Sequence, residues 1–336
     1  TGNPQLFIDG TDYSDVNQGS LGDCWFISAM VVVATKAPHI LKQRFVLADP
    51  DLGLYVISFF KDGEWKEVLI DDRIVCGPLK TLQGGRWIQC SWERYICYAK
   101  SHTARNHNKS SDEMWVPLME KAYAKLHGGY KNIESGHTTY GIRDLVGSVP
   151  MPFIQSKFVE ASAFNMLQAR MRNEHSLLMM ACSTHKGSGG MEAHAGHGLH
   201  RAHAYCQIRT ADYDGETLML VRNPWGRKEW TGEWSDQDDA KWTESAQKRL
   251  NYQPGDDGAF WMTYNDCMEY LETWALTVLF PPDWFRCTIR GAWTAETAGG
   301  CGNLPRQDDW AKNPNFQLTI PEPPMPGMPF KGSITL

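Results

Sequence analysis

Residues 25–34 read Trp-Phe-Ile-Ser-Ala-Met-Val-Val-Val-Ala, a run that no charge and no proline interrupts. A stretch this apolar on every side is too long for an ordinary strand and too short to cross a membrane. It demands a helix enclosed in the middle of a fold. The preceding Gly22-Asp23 reads as a turn with a capping carboxylate, which puts Cys24 in the first turn of that helix. Free backbone amides and the positive end of the helix dipole favour a thiolate over a thiol at such a position. Most free cysteines are small buried hydrophobes. This one gains chemical interest only if the chain brings a base to it.

Two later segments supply candidates. Residues 202–208 form a strand-like stretch that His203 enters, and the alternation along it fixes the direction of the ring. Residues 218–222 form an apolar strand that stops at Asn223-Pro224, with Trp225 and Gly226 behind it. An Asn-Pro pair often does no more than cap a turn. The order Cys, His, Asn is, however, that of papain-like proteases, in which the asparagine holds the imidazole in the tautomer that pairs with the thiolate. Gln18, six residues before Cys24, is the candidate to join the Cys24 amide as an oxyanion donor. His194, His197, His200 and His203 recur every three residues, a spacing that raises the question of zinc. Gly196 and Gly198 argue against the helix that would bring them onto one face, and no C-x-x-C accompanies them. His200 is the nearest rival to His203 for the catalytic role.

With these residues in place the chain resembles the protease core of the calpain family. The matching pieces are Gln18 to Phe26, the Glu120-Lys121-Ala122-Tyr123-Ala124-Lys125-Leu126 stretch, Gly198 to Tyr205 with Ala202 where the family has glycine, Arg222 to Gly226, Glu229 to Asp236, and Phe260-Trp261-Met262. The resemblance implies an α+β, papain-like core of two subdomains, a helical one over 1–138 carrying Cys24 and a β-rich one over 139–282 carrying His203 and Asn223. The active-site cleft lies between them, and residues 283–336 hold the start of a β-sandwich and a proline-rich tail. It implies that Trp225 shields the histidine–asparagine pair and acts as a switch, wedging into the cleft when calcium is absent. It also implies Ca2+ at two sites. No EF-hand loop is present. The first site falls on Ile8, Gly10, Asp15 and Glu120, and the second on Glu229, Asp236 and the Asp256-Asp257 turn, where Ala259 replaces a frequent acid.

The remaining sequence sets the context. A net charge of −6 over 336 residues carries no electrostatic footprint for nucleic acid. Nine cysteines without a C-x-x-C pair suit a reducing compartment, and with neither a signal segment nor a membrane-length apolar run the expected location is cytoplasmic. The chain opens on Thr1-Gly2 rather than methionine, which leaves room for regulatory domains or a subunit outside it. A helix is expected over 114–126 and another over 161–173. Strands are expected over 54–60, 67–71, 177–182 and 259–263, turns from 128 to 141, and surface loops over 101–112 and 186–190. Residues 291–293, 297–301 and 313–316 resemble the opening of the sandwich, and 321–329 read as a linker.

The expected function is that of a calcium-regulated intracellular cysteine endopeptidase making limited cuts in protein substrates. The alternative is a catalytically silent calpain-like binding module. A transglutaminase would share the thiolate chemistry but normally carries aspartate third, and a histidine-centred metal protein is the remaining rival.

Overall fold

The computed structural model describes residues 4–78, 80–83, 86–89, 95–101, 112–150, 154–155, 176–182, 192–279, 287–300, 312–315 and 317. The expected helix over 161–173, the loop over 186–190, most of the loop over 101–112 and the tail over 321–329 lie outside the described residues. The chain divides into two compact units, Thr1–Pro281 and Pro282–Leu336.

In the first unit, helix α1 (Cys24–Lys36) buries every residue from Trp25 to Ala34, as the uninterrupted apolar run requires. Around it stand α2 (Pro38–Gln43), α3 (Trp115–Leu126) and α4 (Thr138–Val146). A three-stranded antiparallel sheet of Phe45–Asp49, Leu54–Lys61 and Glu64–Asp71 completes this side. Phe26 stacks on Tyr123 of α3 with ring centroids 3.7 Å apart and planes within 3°. α4 replaces part of the expected run of turns. Gly141 lies within it because a Cβ there would come within 2.8 Å of the Ala29 Cβ, so glycine lets α4 approach the backbone of α1.

The other face of α1 meets an antiparallel sheet of seven strands. Its main path runs Val149–Pro150, Thr273–Val278, Ser176–Cys182, His203–Tyr213, Glu216–Arg222, Ala259–Thr263, and Ile154–Gln155 also pairs with Thr273–Val278. One apolar core takes in α1, α3 and α4 together with Cys206, Ile208 and Ala275 of this sheet. Ser28 on α1 donates to the Ala204 carbonyl (3.3 Å), and Cys206 donates to the Ser28 carbonyl (3.4 Å). These bonds fix the Cys24 helix against the strand that begins at His203.

Arg222, at the end of its strand, is 1% exposed and reaches back to the segment before Cys24. It donates to the Val16 carbonyl (2.7 Å) and to Asn17 Oδ1 (3.4 Å), while the Gln18 N–H donates to the Pro224 carbonyl (2.9 Å). Arg222→Ala leaves the Val16 carbonyl without this donor and is expected to lower stability in urea unfolding by roughly 2–3 kcal/mol. A midpoint equal to that of the unsubstituted chain would show that the clamp is dispensable.

Of the second unit, residues 287–300, 312–315 and 317 are described, and they include no strand. Ile289 and Trp293 stay 66% and 72% exposed. Among the described residues, no helix is long and apolar enough to cross a membrane.

Candidate active site

Cys24 is the first residue of α1 and is partly exposed, whereas the residues that follow it are buried. Asp23 occupies the N-cap position, but its side chain makes no capping bond, contrary to the sequence expectation. Only its carbonyl serves the helix, accepting from the Phe26 and Ile27 N–H groups (2.8 and 3.1 Å). The carboxylate is instead buried against Glu120 of α3. Burial first, then the Asp23 charge, raises Glu120 well above the ordinary carboxylate range, and burial lifts Asp23 to about 7. Burial and mutual repulsion thus favour the neutral form of Glu120 beside Asp23.

His203 begins its strand fully buried. Ala202 before it sits in the left-handed region (φ 47°), which accounts for the glycine preference at that place. His203 Nε2 lies 2.9 Å from Asn223 Oδ1, and Asn223 is held in turn by donating from Nδ2 to the Lys228 carbonyl (3.0 Å). With an amide oxygen on Nε2, that nitrogen carries the hydrogen and Nδ1 faces the thiol. Cys24 Sγ, a ring nitrogen of His203 and a carboxylate oxygen of Glu192 all lie within 4.8 Å of one another. The structure thus brings Cys24, His203 and Asn223 together.

Trp225 donates its N–H to Asn223 Oδ1 (3.1 Å), and its ring lies 4.3 Å from the His203 ring, covering the imidazole. Gln18 is buried at the end of its short strand and donates Nε2–H to the Leu21 carbonyl (2.7 Å). Of the other histidines, His200 is buried, and its Nδ1 lies 3.0 Å from the Glu192 carbonyl. It supports the neighbouring arm rather than entering the thiol–imidazole pair.

Glu192 is the residue that sequence reasoning missed. It sits in a histidine- and glycine-rich segment without apolar periodicity, at a left-handed φ of 61°. Its one available signal was a carboxylate eleven residues before His203. Burial pushes the His203 imidazole down, but the pull of Cys24 and Glu192 on its proton, with help from Asn223, outweighs this and raises it to about 9. The charged ring is then retained across neutral pH. Any stability it contributes is fully present below the ordinary histidine value of 6.5 and is lost as pH rises through about 9. An NMR titration of His203 is expected to show the raised midpoint, and Glu192→Gln to lower it. An unmoved midpoint in that variant would remove Glu192 from the pair.

The candidate calcium ligands fall into two acidic regions. Near Ile8 and Gly10, the Ile8 N–H donates to Glu113 Oε1 (2.7 Å), and Asp15 Oδ2 accepts the Asp12 N–H (2.7 Å). Burial raises Asp15 to about 7, and burial together with the Asp15 charge raises Glu113 to about 8. Glu113 is thus the acid beside Asp15, while Glu120 is engaged with Asp23. In the second region Glu229 Oε1 accepts the Gly258 N–H (2.7 Å), Asp236 Oδ2 the Gly255 N–H (2.9 Å) and Asp257 Oδ1 the Ala259 N–H (2.8 Å). Burial raises Glu229 to about 8, with the charges of Asp236, Asp257 and Asp256 adding to it. Both regions gather partly buried carboxylates, and oxygen donors of this kind suit a hard cation.

A family model described as calpain family cysteine protease matches residues 1–277. The chain is 33% identical over 324 residues to the calpain-type cysteine protease DEK1 of Zea mays, covering 94% of this chain and 14% of that protein. It is 30% identical over 363 residues to calpain-5 of Mus musculus, covering 95% of this chain and 53% of that protein. With calpain-A of Drosophila melanogaster the identity is 30% over 350 residues, or 96% of this chain and 39% of that protein. The chain therefore spans from about a seventh to about half the length of these curated relatives. A thiol at a helix start, an imidazole locked by an asparagine amide and a family match along most of the sequence lead to one conclusion: the chain belongs to the calpain family of cysteine proteases.

Proposed function

We propose that the chain is a papain-like cysteine endopeptidase core, with a cleft between a Cys24-bearing and a His203/Asn223-bearing subdomain, that makes limited, calcium-regulated cuts in cytoplasmic protein substrates. The observation that carries this reading is the imidazole of His203, held on one side by Asn223 and facing Cys24 on the other. Cys24, as thiolate, attacks the peptide carbonyl, and His203 delivers its proton to the leaving amine. Asn223 keeps the ring in the productive tautomer throughout. The Cys24 amide and Gln18 receive the oxyanion, a contact whose loss typically costs about 3–4 kcal/mol of transition-state stabilisation. A water activated by His203 then releases the acyl group. Trp225 excludes solvent from the imidazole–amide bond.

Asp15 with the Ile8 and Gly10 carbonyls, and Glu229, Asp236 and Asp257, are the residues that would hold calcium. The positive charge it supplies would relieve the repulsion among these acids. Glu120 can join the first group only by leaving Asp23. Regulatory regions beyond this chain fit the greater length of the relatives.

The test is cleavage of a quenched fluorogenic peptide with and without millimolar calcium, alongside Cys24→Ser and mass-spectrometric mapping of an epoxide label. Calcium-dependent cleavage that disappears in Cys24→Ser, with the label on Cys24, is the expected result. Calcium-independent cleavage would sink the regulatory part alone. A folded sample that neither cleaves nor labels would point to a silent binding module.

A further inference from the structure

We propose that Cys24, His203 and Glu192 form a binding site for a thiophilic divalent cation of the zinc class, and that such an ion silences the thiol. The binding stands on the geometry alone, whereas the silencing rests on the protease reading. Among the described residues, these three are the one group of cysteine, histidine and acidic side chains whose ligand atoms all lie within 4.8 Å of one another. A thiolate, an imidazole nitrogen and a carboxylate oxygen are a suitable donor set for zinc, and three protein ligands leave a fourth position for water.

The spacing favours a metal over a direct contact. His203 Nδ1 and Glu192 Oε1 are 3.7 Å apart, too far for an ordinary hydrogen bond. Zinc bonds of about 2.0–2.1 Å in a tetrahedron place such donors about 3.4 Å apart, so a small closure suffices. His203 is fully buried, and its Nδ1 has no hydrogen-bond partner. On the opposite side of the ring, Asn223 Oδ1 receives Nε2–H at 2.9 Å, the outer-shell contact that leaves the Nδ1 lone pair free for a metal in the neutral imidazole.

Glu192 is placed with the same care. Its N–H donates to the Arg201 carbonyl (2.8 Å), and its own carbonyl lies 3.0 Å from His200 Nδ1. Its backbone sits in the left-handed region at φ 61°, a conformation that persists in a non-glycine residue where the surrounding structure imposes it, often at ligand clamps. The Glu192 side chain is 38% exposed and gives the ion a way in from solvent. Sulfur and imidazole select against calcium, which takes oxygen donors, so this site is chemically distinct from the acidic regions. Binding forms metal–sulfur, metal–nitrogen and metal–oxygen bonds and releases to solvent the proton that Cys24 and His203 share. No electron is transferred. The thiolate lone pair is then committed to the metal.

The experiment is a titration of the chelator-stripped, calcium-free chain with Zn2+ against a chromophoric competitor, paired with Co2+ as a spectroscopic probe and with the rate of Cys24 alkylation. The expected result is one tightly held equivalent of zinc and a thiolate-to-cobalt charge-transfer band that is absent in Cys24→Ala. Alkylation is expected to slow at least ten-fold on adding zinc. Cys24→Ala and Glu192→Gln should each weaken binding at least ten-fold, and His194→Gln, on the exposed neighbour, should bind as the parent does. Equal affinity in all variants, or binding lost in His194→Gln alone, would overturn the site. Rapid metal-free alkylation without zinc binding would overturn it while keeping the protease reading. An unreactive thiol that still binds zinc would do the reverse.

Discussion

His203→Ala is expected to lower kcat for peptide cleavage by on the order of 10^6-fold, with the protein still folded by circular dichroism. The imidazole is asked both to hold the thiol proton and to deliver it to the leaving amine, and no second base replaces it. His200 is turned to the Glu192 carbonyl, and the Glu192 carboxylate, 3.7 Å from His203 Nδ1, is too weak a base to take over the thiol proton. Because the thiol and the imidazole act as a unit, Cys24→Ala combined with His203→Ala should be no slower than either alone. Asn223→Ala should cost less, since the ring survives and only its orientation is freed. A His203→Ala enzyme within a hundred-fold of the parent would mean that another group carries the proton, and the mechanism above would fall.

The second large effect is on stability. Gly198 has φ +79°, and a Cβ built there would fall on the Glu229 carbonyl oxygen. The clash is with backbone, so no side chain can swing aside, and the two segments are tied by the Thr231 N–H to the His197 carbonyl (3.1 Å). Left-handed strain of about 1–2 kcal/mol adds to overpacking of about 1–3 kcal/mol. Gly198→Ala is thus expected to cost roughly 2–5 kcal/mol in denaturant unfolding. Because Gly198 lies on the arm that runs from Glu192 to His203, the variant should also lose thiol reactivity before it unfolds. An unchanged midpoint would show that the arm accommodates the methyl group by moving as a whole.

The reach of the sequence can be judged from particular residues. Ten residues in a row, all apolar but Ser28, announced α1, because nothing but burial suits such a surface, and Cys24 followed as its first residue. The strand that begins at His203 and the one that stops before Asn223 were legible because turn residues bound their apolar stretches. Asp23 misled because a capping carboxylate and a buried one look alike in sequence. Which it becomes depends on Glu120, 97 positions away on α3. Glu113 was passed over beside Asp15 for the same reason, since proximity across the fold leaves no local pattern. Glu192 was hidden more deeply, because its place is set by a left-handed turn that an ordinary side chain rarely adopts. α4 was read as turn because Gly141 looks like a breaker, whereas it is the point of closest approach between two helices.

The burial of α1 begins one residue after the thiol. Trp25 to Ala34 carry the packing, while Cys24 itself stands partly in solvent at the helix tip. Foldability and chemistry are therefore written in adjacent but separate letters of this sequence. A lineage can exchange the nucleophile for serine or alanine without disturbing the scaffold, so selection for binding alone would preserve the architecture while letting hydrolysis lapse. Retention of cysteine at this position is then evidence about selection on the reaction rather than about the stability of the fold.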